Sequence, residues 1–137
     1  MTPSRLNILI AHDAGTPWAK SLRGSLASWP VELLWSRCVE EALNMARERA
    51  LHVGIVDDTV PTEGGLGLVR RMRRLGHAMP CVLIATDPSQ RLLQDALTLQ
   101  VFAVIQSQGY QETLIPALSR LIRDRYNLEV PNIGINN

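Results

Sequence analysis

Short apolar runs alternate with amphipathic stretches along the chain. The runs are apolar almost throughout, as are strands buried on both faces of a sheet; they occupy residues 6–11, 31–36, 52–57, 80–85 and 101–106. Between and after them, apolar residues recur every three to four positions. This spacing predicts helices over residues 17–29, 38–50, 66–76, 89–99 and 110–126.

Two of the predicted helices begin with a polar residue followed by proline. Thr16 precedes Pro17 at the first helix, and Asp87 precedes Pro88 at the fourth. Such pairs suit a helix start, because the polar side chain can accept a free backbone N–H and proline fixes a helical φ. We therefore expect both pairs to cap their helices.

Strands that alternate with helices predict an α/β fold with a parallel sheet covered by helices on both faces. Right-handed crossovers and five βα units favour the flavodoxin-like, doubly wound strand order 2-1-3-4-5. Residues 1–127 are predicted to form the domain, and residues 128–137 a C-terminal tail or linker stub. Ligands of such sheets bind at the carboxyl ends of the strands, beside the first and third.

Acidic residues stand at both of these strand ends. Asp13 follows the first strand, and Asp57 closes the third strand with Asp58 directly after it. The predicted topology brings them together in an oxygen-rich pocket that suits Mg²⁺, which takes one or two carboxylates and otherwise keeps its waters. An aspartate beside Mg²⁺ can attack phosphorus and form an acyl phosphate. A well-solvated turn capped by the acids is the alternative.

Composition narrows the classes of function. The chain has 137 residues and a formal net charge of +1, which argues against a general nucleic-acid binder. No apolar run approaches the roughly 18 residues that a membrane span needs, and the start lacks a signal-peptide pattern, so we expect a cytoplasmic protein. Lys20 is the single lysine, and Cys38 and Cys81 are expected to be reduced thiols.

Other candidate motifs carry simpler explanations. His12 could bind a transition metal, but a lone imidazole is a weak signal. The glycines after Asp58 lack the GK[ST] of a phosphate-binding Walker loop. Four arginines end the third helix, where they suit its dipole, with an anionic partner as the alternative: Arg70, Arg71, Arg73 and Arg74. The three tryptophans are expected to pack in the core or at a sheet edge: Trp18, Trp29 and Trp35.

Over residues 6–126 the chain resembles the receiver domain of two-component response regulators. The resemblance rests on Asp57 at the end of the third strand, Pro61 four residues later and Gly65 eight residues later. Pro80, which opens the fourth strand, also fits the pattern. This spacing matches Asp57, and not Asp58, to the family's acceptor.

The resemblance implies a chemistry and a set of partners. Asp57 would be the phospho-acceptor, and Mg²⁺ would be held by Asp13, Asp57 and the backbone carbonyl of Thr59. A histidine kinase or phosphotransfer protein would donate the phosphoryl group. The protein would be a signalling module and not an enzyme. It would bind a protein partner or a second copy through the fourth helix, fifth strand and fifth helix, with no membrane partner.

Several positions depart from the receiver pattern. His12 replaces one acid of the family's pair, which weakens the Mg²⁺ site. Ala85 stands where the family has a hydroxyl, with Thr86 one place late; Ser107 replaces the lysine, and Val104 the aromatic residue. A neutral serine cannot supply the lysine's charge, and removing such a donor typically costs about 3 kcal/mol of transition-state stabilisation.

Two hypotheses follow. In the first, the chain is a receiver-like module in phosphorelay signalling, with Asp57 at the acceptor position and with atypical or lost phospho-switching. In the alternative, it is a phosphorylation-independent pseudo-receiver that acts through protein–protein contacts. The candidate accessory residues at the site are the same in both cases: His12, Asp58, Thr86 and Ser107.

Overall fold

The computed structural model describes residues 4–13, 16–61 and 63–131. In this part of the chain five strands alternate with five helices, as predicted. The strands are β1 (Leu6–Ala11), β2 (Val31–Ser36), β3 (Val53–Asp57), β4 (Cys81–Ala85) and β5 (Ala103–Gln106). The helices are α1 (Pro17–Ser25), α2 (Val39–Glu48), α3 (Gly64–Arg74), α4 (Gln90–Thr98) and α5 (Tyr110–Tyr126).

The strands form one parallel sheet in the order β2-β1-β3-β4-β5, which confirms the predicted flavodoxin-like topology. In the β1–β3 register Ala11 lies beside Val56, so the two strands end together. The chain therefore leaves β1 toward Asp13 next to the point where Asp57 ends β3.

Alternation along the strands separates two hydrophobic layers. In β1, Leu6, Ile8 and Ile10 face the layer that contains α1 and α5, whereas Leu9 and Ala11 face α2 and α3. All five are fully buried, and burying one large aliphatic side chain contributes about 1.5–3 kcal/mol. The sheet is thus a rigid support for the loops at its carboxyl edge.

Helix α4 is attached much less firmly than the others. Ala96 is its only buried residue, and Leu92 is partly buried against the α2–α3 layer. Two leucines of the same helix are exposed to solvent, Leu93 to 46% and Leu97 to 79%. The outer side of α4 therefore carries two solvent-exposed leucines among its polar residues.

Some helix ends differ from the prediction. Asp87 does not cap α4: Ser89 is the N-cap and its hydroxyl accepts the Leu92 N–H at 3.1 Å. Thr16 is the N-cap of α1, but its hydroxyl donates to the Asp13 carbonyl at 2.5 Å and does not cap the helix. Helix α1 ends at Ser25 and not near residue 29, and turns follow it in which the Ala27 N–H donates to the Gly24 carbonyl and the Trp29 N–H to the Leu26 carbonyl.

The segment after α5 lies against the domain as far as it is described. Leu128 and Val130 are partly buried against the α1–α5 layer, and the Tyr126 hydroxyl donates to the His52 carbonyl at 2.6 Å. Residues 132–137 lie outside the described residues, so the division into domain and tail stays a prediction. No described helix combines the length and apolar character that a membrane span requires.

Candidate functional site

A pocket of about 380 Å³ opens at the carboxyl edge of the sheet. It is lined by residues from the ends of β1, β3, β4 and β5 and from the first turn of α1: Asp13, Thr16, Pro17, Trp18, Asp57, Thr59, Thr86, Ser107, Gln108 and Tyr110. Most of the residues singled out from the sequence therefore meet in one place. Asp58 lies next to this pocket, and His12 lines a different one.

The Asp57 carboxylate is buried, with a residue exposure of only 3%, and both of its oxygens accept hydrogen bonds. Its Oδ1 accepts the backbone N–H of Thr59 at 2.8 Å and the Thr59 hydroxyl at 2.7 Å. Its Oδ2 accepts the indole N–H of Trp18. A buried carboxylate without donors would be strongly destabilising, so these three bonds allow Asp57 to lie inside the protein.

Trp18 reaches Asp57 from the first turn of α1. Pro17 occupies the first position of the helix, and the Trp18 ring is 1% exposed and packs in the α1–α5 layer. The prediction that Trp18 packs in the core is confirmed, but its bond to Asp57 was missed. The sequence did contain a signal for this bond. Trp18 carries an N–H donor in the first helical turn after β1, and in this topology that turn lies over the end of β3.

Gly65 explains why the segment after Asp57 can turn so tightly. A Cβ at this position would lie 2.7 Å from the Asp57 carbonyl oxygen and 2.8 Å from Leu83 Cδ1. Real Cβ atoms do not come this close to backbone oxygen, so any side chain would force α3 away from β3. Gly65 therefore holds the start of α3 directly against the acceptor position.

Asp58 is half-buried, and only one of its two carboxyl oxygens is hydrogen-bonded within the described part of the chain. Its Oδ2 accepts the Thr86 N–H at 3.2 Å, whereas its buried Oδ1 has no hydrogen-bond partner among the described residues. Burial raises the pKa of the Asp58 carboxyl; the Thr86 N–H opposes this, and the adjacent Asp57 raises it further. Asp58 thus adds a second carboxyl group directly beside Asp57.

His12 is directed away from the acidic pocket. Its Nδ1 lies 2.6 Å from the Asp13 carbonyl oxygen, a distance at which the ring nitrogen must donate. The ring stands edge-on to Trp18, at 5.9 Å between centroids, and to Trp35, at 5.7 Å. In this arrangement His12 is an aromatic packing residue and not a metal ligand beside Asp57.

No positively charged side chain lines the pocket in the described part of the chain. Ser107 occupies the end of β5, and its N–H donates to the Ala85 carbonyl at 2.9 Å, which continues the sheet ladder. Lys20 is exposed on α1 and lines another pocket. The charge that would stabilise a phosphoryl group is therefore not supplied by any described lining residue.

Two carboxylates could hold a Mg²⁺ ion at this pocket. Asp13 and Asp57 line the same pocket, which agrees with the one or two carboxylates that Mg²⁺ requires. Asp57 Oδ1 already accepts two hydrogen bonds from Thr59, whereas Oδ2 accepts one from Trp18, so a cation would bind the remaining lone pair of Oδ2 beside the indole N–H. Among the described residues no group of three or more His, Cys, Asp or Glu side chains is arranged to hold a metal.

Comparison with known proteins gives matches among solved structures only. No protein-family model and no curated protein matches the chain. The signal receiver domain of an HD domain-containing protein from Pseudomonas fluorescens Pf-5 is 20% identical with a TM-score of 0.75, covering 90% of this chain and 99% of that one.

Two further receiver domains are also similar in shape. The non-phosphorylated HemR receiver domain from Leptospira biflexa is 18% identical with a TM-score of 0.77, covering 86% of this chain and 94% of that one. A CheY-like receiver domain from Methanospirillum hungatei JF-1 is 18% identical with a TM-score of 0.70, covering 88% and 99%. With the strand order and the position of Asp57, these likenesses show that the chain has the fold of a response-regulator receiver domain.

Proposed function

We propose that the protein is a receiver-like module in two-component phosphorelay signalling, not an enzyme, with Asp57 at the acceptor position and with altered or lost phospho-switching. The observation that carries the receiver role is the shared pocket of Asp13 and Asp57 at the carboxyl edge of the sheet. The hydrogen bonds from Trp18 and Thr59 to both Asp57 oxygens support the altered switching. The role would place the protein in the cytoplasm, with a histidine kinase or phosphotransfer protein as the corresponding partner.

Phosphorylation at this site would face two obstacles. Transfer from a phosphohistidine forms a bond between an Asp57 oxygen and phosphorus and breaks the nitrogen–phosphorus bond, and hydrogen bonds donated to both Asp57 oxygens lower the negative charge available for this attack. The phosphoryl oxygens would then lie near Asp13 and neutral Ser107, with no described lining cation to stabilise them. Such electrostatic stabilisation is usually the largest contribution to a transfer of this kind.

These obstacles favour the second candidate, a phosphorylation-independent pseudo-receiver. In it, Trp18 and Thr59 hold the Asp57 carboxylate as a structural element, and the module works through protein contacts. Asp13 and Asp57 at the same pocket favour the first candidate, since they are the residues that the receiver chemistry needs.

The surface formed by α4, β5 and α5 is the proposed contact surface for a protein partner or a second copy. Leu93 and Leu97 are exposed on α4, and Phe102 and Val104 are only partly buried beside it. An apolar surface of this kind is typical of interaction sites. Sedimentation showing a strict monomer at high concentration would rule out the homodimer.

One experiment separates the candidates. The protein is incubated with Mg²⁺ and acetyl phosphate or beryllofluoride, and modification at Asp57 is followed by mass spectrometry and NMR, with Asp57→Asn as the control. No adduct and no Mg²⁺-dependent shift are expected for the pseudo-receiver. A stoichiometric adduct at Asp57 that also shifts resonances of the α4–β5–α5 surface would overturn the proposal that switching is altered.

A further inference from the structure

A second, shallow pocket of about 220 Å³ lies between α1 and β2. It is lined by His12, Ala19, Lys20, Arg23 and Trp35, and we call it the Trp35 pocket. We propose that the Trp35 pocket is the docking site of an acidic, extended segment of a partner protein. This inference goes beyond the proposed function, because it concerns another surface and does not require phosphorylation.

The charge of the pocket selects an acidic partner. Lys20 and Arg23 are both exposed, and neither forms an ion pair with any described residue. The Arg23 guanidinium lies over the Trp35 ring, 5.0 Å from its centroid. A guanidinium held on an aromatic face keeps its N–H donors in a fixed plane, where they can bind a carboxylate bidentately.

The base of the pocket is the edge of the sheet. Strand β2 pairs only with β1, so its other edge has no described neighbour. Leu33 and Trp35 point to the α1 side of this strand and are only partly buried. The Val31 carbonyl at the start of this edge accepts a hydrogen bond from the Arg5 guanidinium at 3.3 Å, and the Val31 N–H donates to the Trp29 carbonyl. The backbone groups open to a further extended segment are therefore those of Leu33 and Trp35. Alternate side chains of such a segment would lie beside Trp35 and under Lys20 and Arg23.

The pocket is also connected to the acceptor site by direct contacts. The His12 ring touches both Trp35 and Trp18, and the Trp18 indole donates to Asp57. A segment that displaces Trp35 or His12 therefore acts on the group that holds Asp57. The receiver pattern's usual hydroxyl and aromatic residue are absent at Ala85 and Val104, so this contact chain gives the domain another connection between Asp57 and its surface.

The test uses the full chain and a defined probe. A short capped peptide that repeats Glu-Thr-Leu-Thr presents carboxylates and leucines on one side when extended; its counterpart has Gln in place of Glu. Binding is followed by NMR of the backbone amides and of the three tryptophan indole N–H groups. We expect saturable shifts at Lys20, Arg23 and the Trp35 indole, a smaller shift at the Trp18 indole, and weakening by added salt.

Charge-reversed variants locate the site. Arg23→Glu is expected to weaken the peptide at least tenfold. Arg120→Glu is the matched control, because Arg120 is also exposed and lies over an aromatic ring, that of Phe102, at 5.5 Å. Arg23→Gln serves as a second variant if Arg23→Glu folds poorly, which circular dichroism shows.

Three results would overturn the docking site: no saturable binding, equal binding of the glutamine peptide, or an equal loss in Arg23→Glu and Arg120→Glu. Saturable binding with no shift at the Trp18 indole would overturn the connection to Asp57. The outcome at Asp57 with beryllofluoride is independent of these measurements, so failure of one proposal is distinguishable from failure of the other.

Discussion

The bond between Trp18 and Asp57 makes a quantitative prediction about stability. Trp18→Phe keeps an aromatic ring in the core but removes the indole N–H that Asp57 Oδ2 accepts. A hydrogen bond to a charged group contributes about 1.5–3 kcal/mol, and the space left by the smaller ring costs on the order of 1 kcal/mol at about 24 cal/mol per Å³. The free energy of unfolding should therefore fall by about 3 kcal/mol.

A double-mutant cycle with Asp57→Asn isolates the bond itself. Asparagine has one carbonyl oxygen, which can accept a hydrogen bond from either Thr59 or Trp18. Its NH₂ group then faces the other donor, which loses its acceptor. The double variant should then be more stable than the sum of the single effects by about 1.5–3 kcal/mol. Urea unfolding followed by circular dichroism measures all four proteins, with equal m-values as the check that only stability has changed.

The matched control is Trp29→Phe. Trp29 is also buried, but its indole nitrogen has no hydrogen-bond partner among the described residues. Its effect should be limited to the space left by the smaller ring, on the order of 1 kcal/mol, and should add to that of Asp57→Asn. A coupling below about 0.5 kcal/mol between Trp18 and Asp57, or one equal to that of Trp29, would contradict the proposed hold on the acceptor carboxylate.

Three further predictions follow from the same loop. Thr59→Val removes the hydroxyl bond to Asp57 Oδ1 but keeps the backbone N–H bond, so urea unfolding should show a loss of about 1 kcal/mol; no loss would mean that the hydroxyl is not bonded in solution. Gly65→Ala should cost about 1–3 kcal/mol, because its Cβ would meet the Asp57 carbonyl, whereas Gly24→Ala, with open space around it in α1, should add about 0.5–1 kcal/mol; equal effects on thermal unfolding would refute this contrast. The raised pKa of Asp58 means that the folded state holds its proton more tightly than the unfolded state, so stability should decline as pH rises above the ordinary value of 3.8 and through the folded pKa. Unfolding titrations should show a weaker decline in Asp58→Asn, and identical pH profiles would contradict the burial of this carboxyl.

The fold could be predicted from sequence because it depends mainly on local patterns of apolar residues. Apolar runs of strand length, separated by helical spacing, leave few arrangements once crossovers are right-handed. The same rules placed Asp13 and Asp57 at adjacent strand ends, and the structure has both lining one pocket. Helix caps were harder to predict. Asp87 and Ser89 are both good N-cap residues, and only the structure shows that α4 begins after Ser89.

The partners of the candidate site were harder to predict. Trp18 and Asp57 are 39 residues apart, and their bond depends on how α1 is rotated about its axis. The apolar spacing of the first helix already explains a tryptophan at position 18 as a core residue. A hydrogen bond from its indole nitrogen adds no further signal to the sequence. The orientation of Asp58 toward the Thr86 N–H is likewise a property of two loops together.

The shallow attachment of α4 has a consequence for the domain's dynamics. A helix that buries a single alanine has little free energy opposing its local opening, so its amides should exchange with solvent well before those of the neighbouring strands. Burying its exposed leucines, Leu93 and Leu97, would also be favourable. A partner at this surface would therefore select among conformations of α4 that are close in free energy, and it could do so without any chemistry at Asp57.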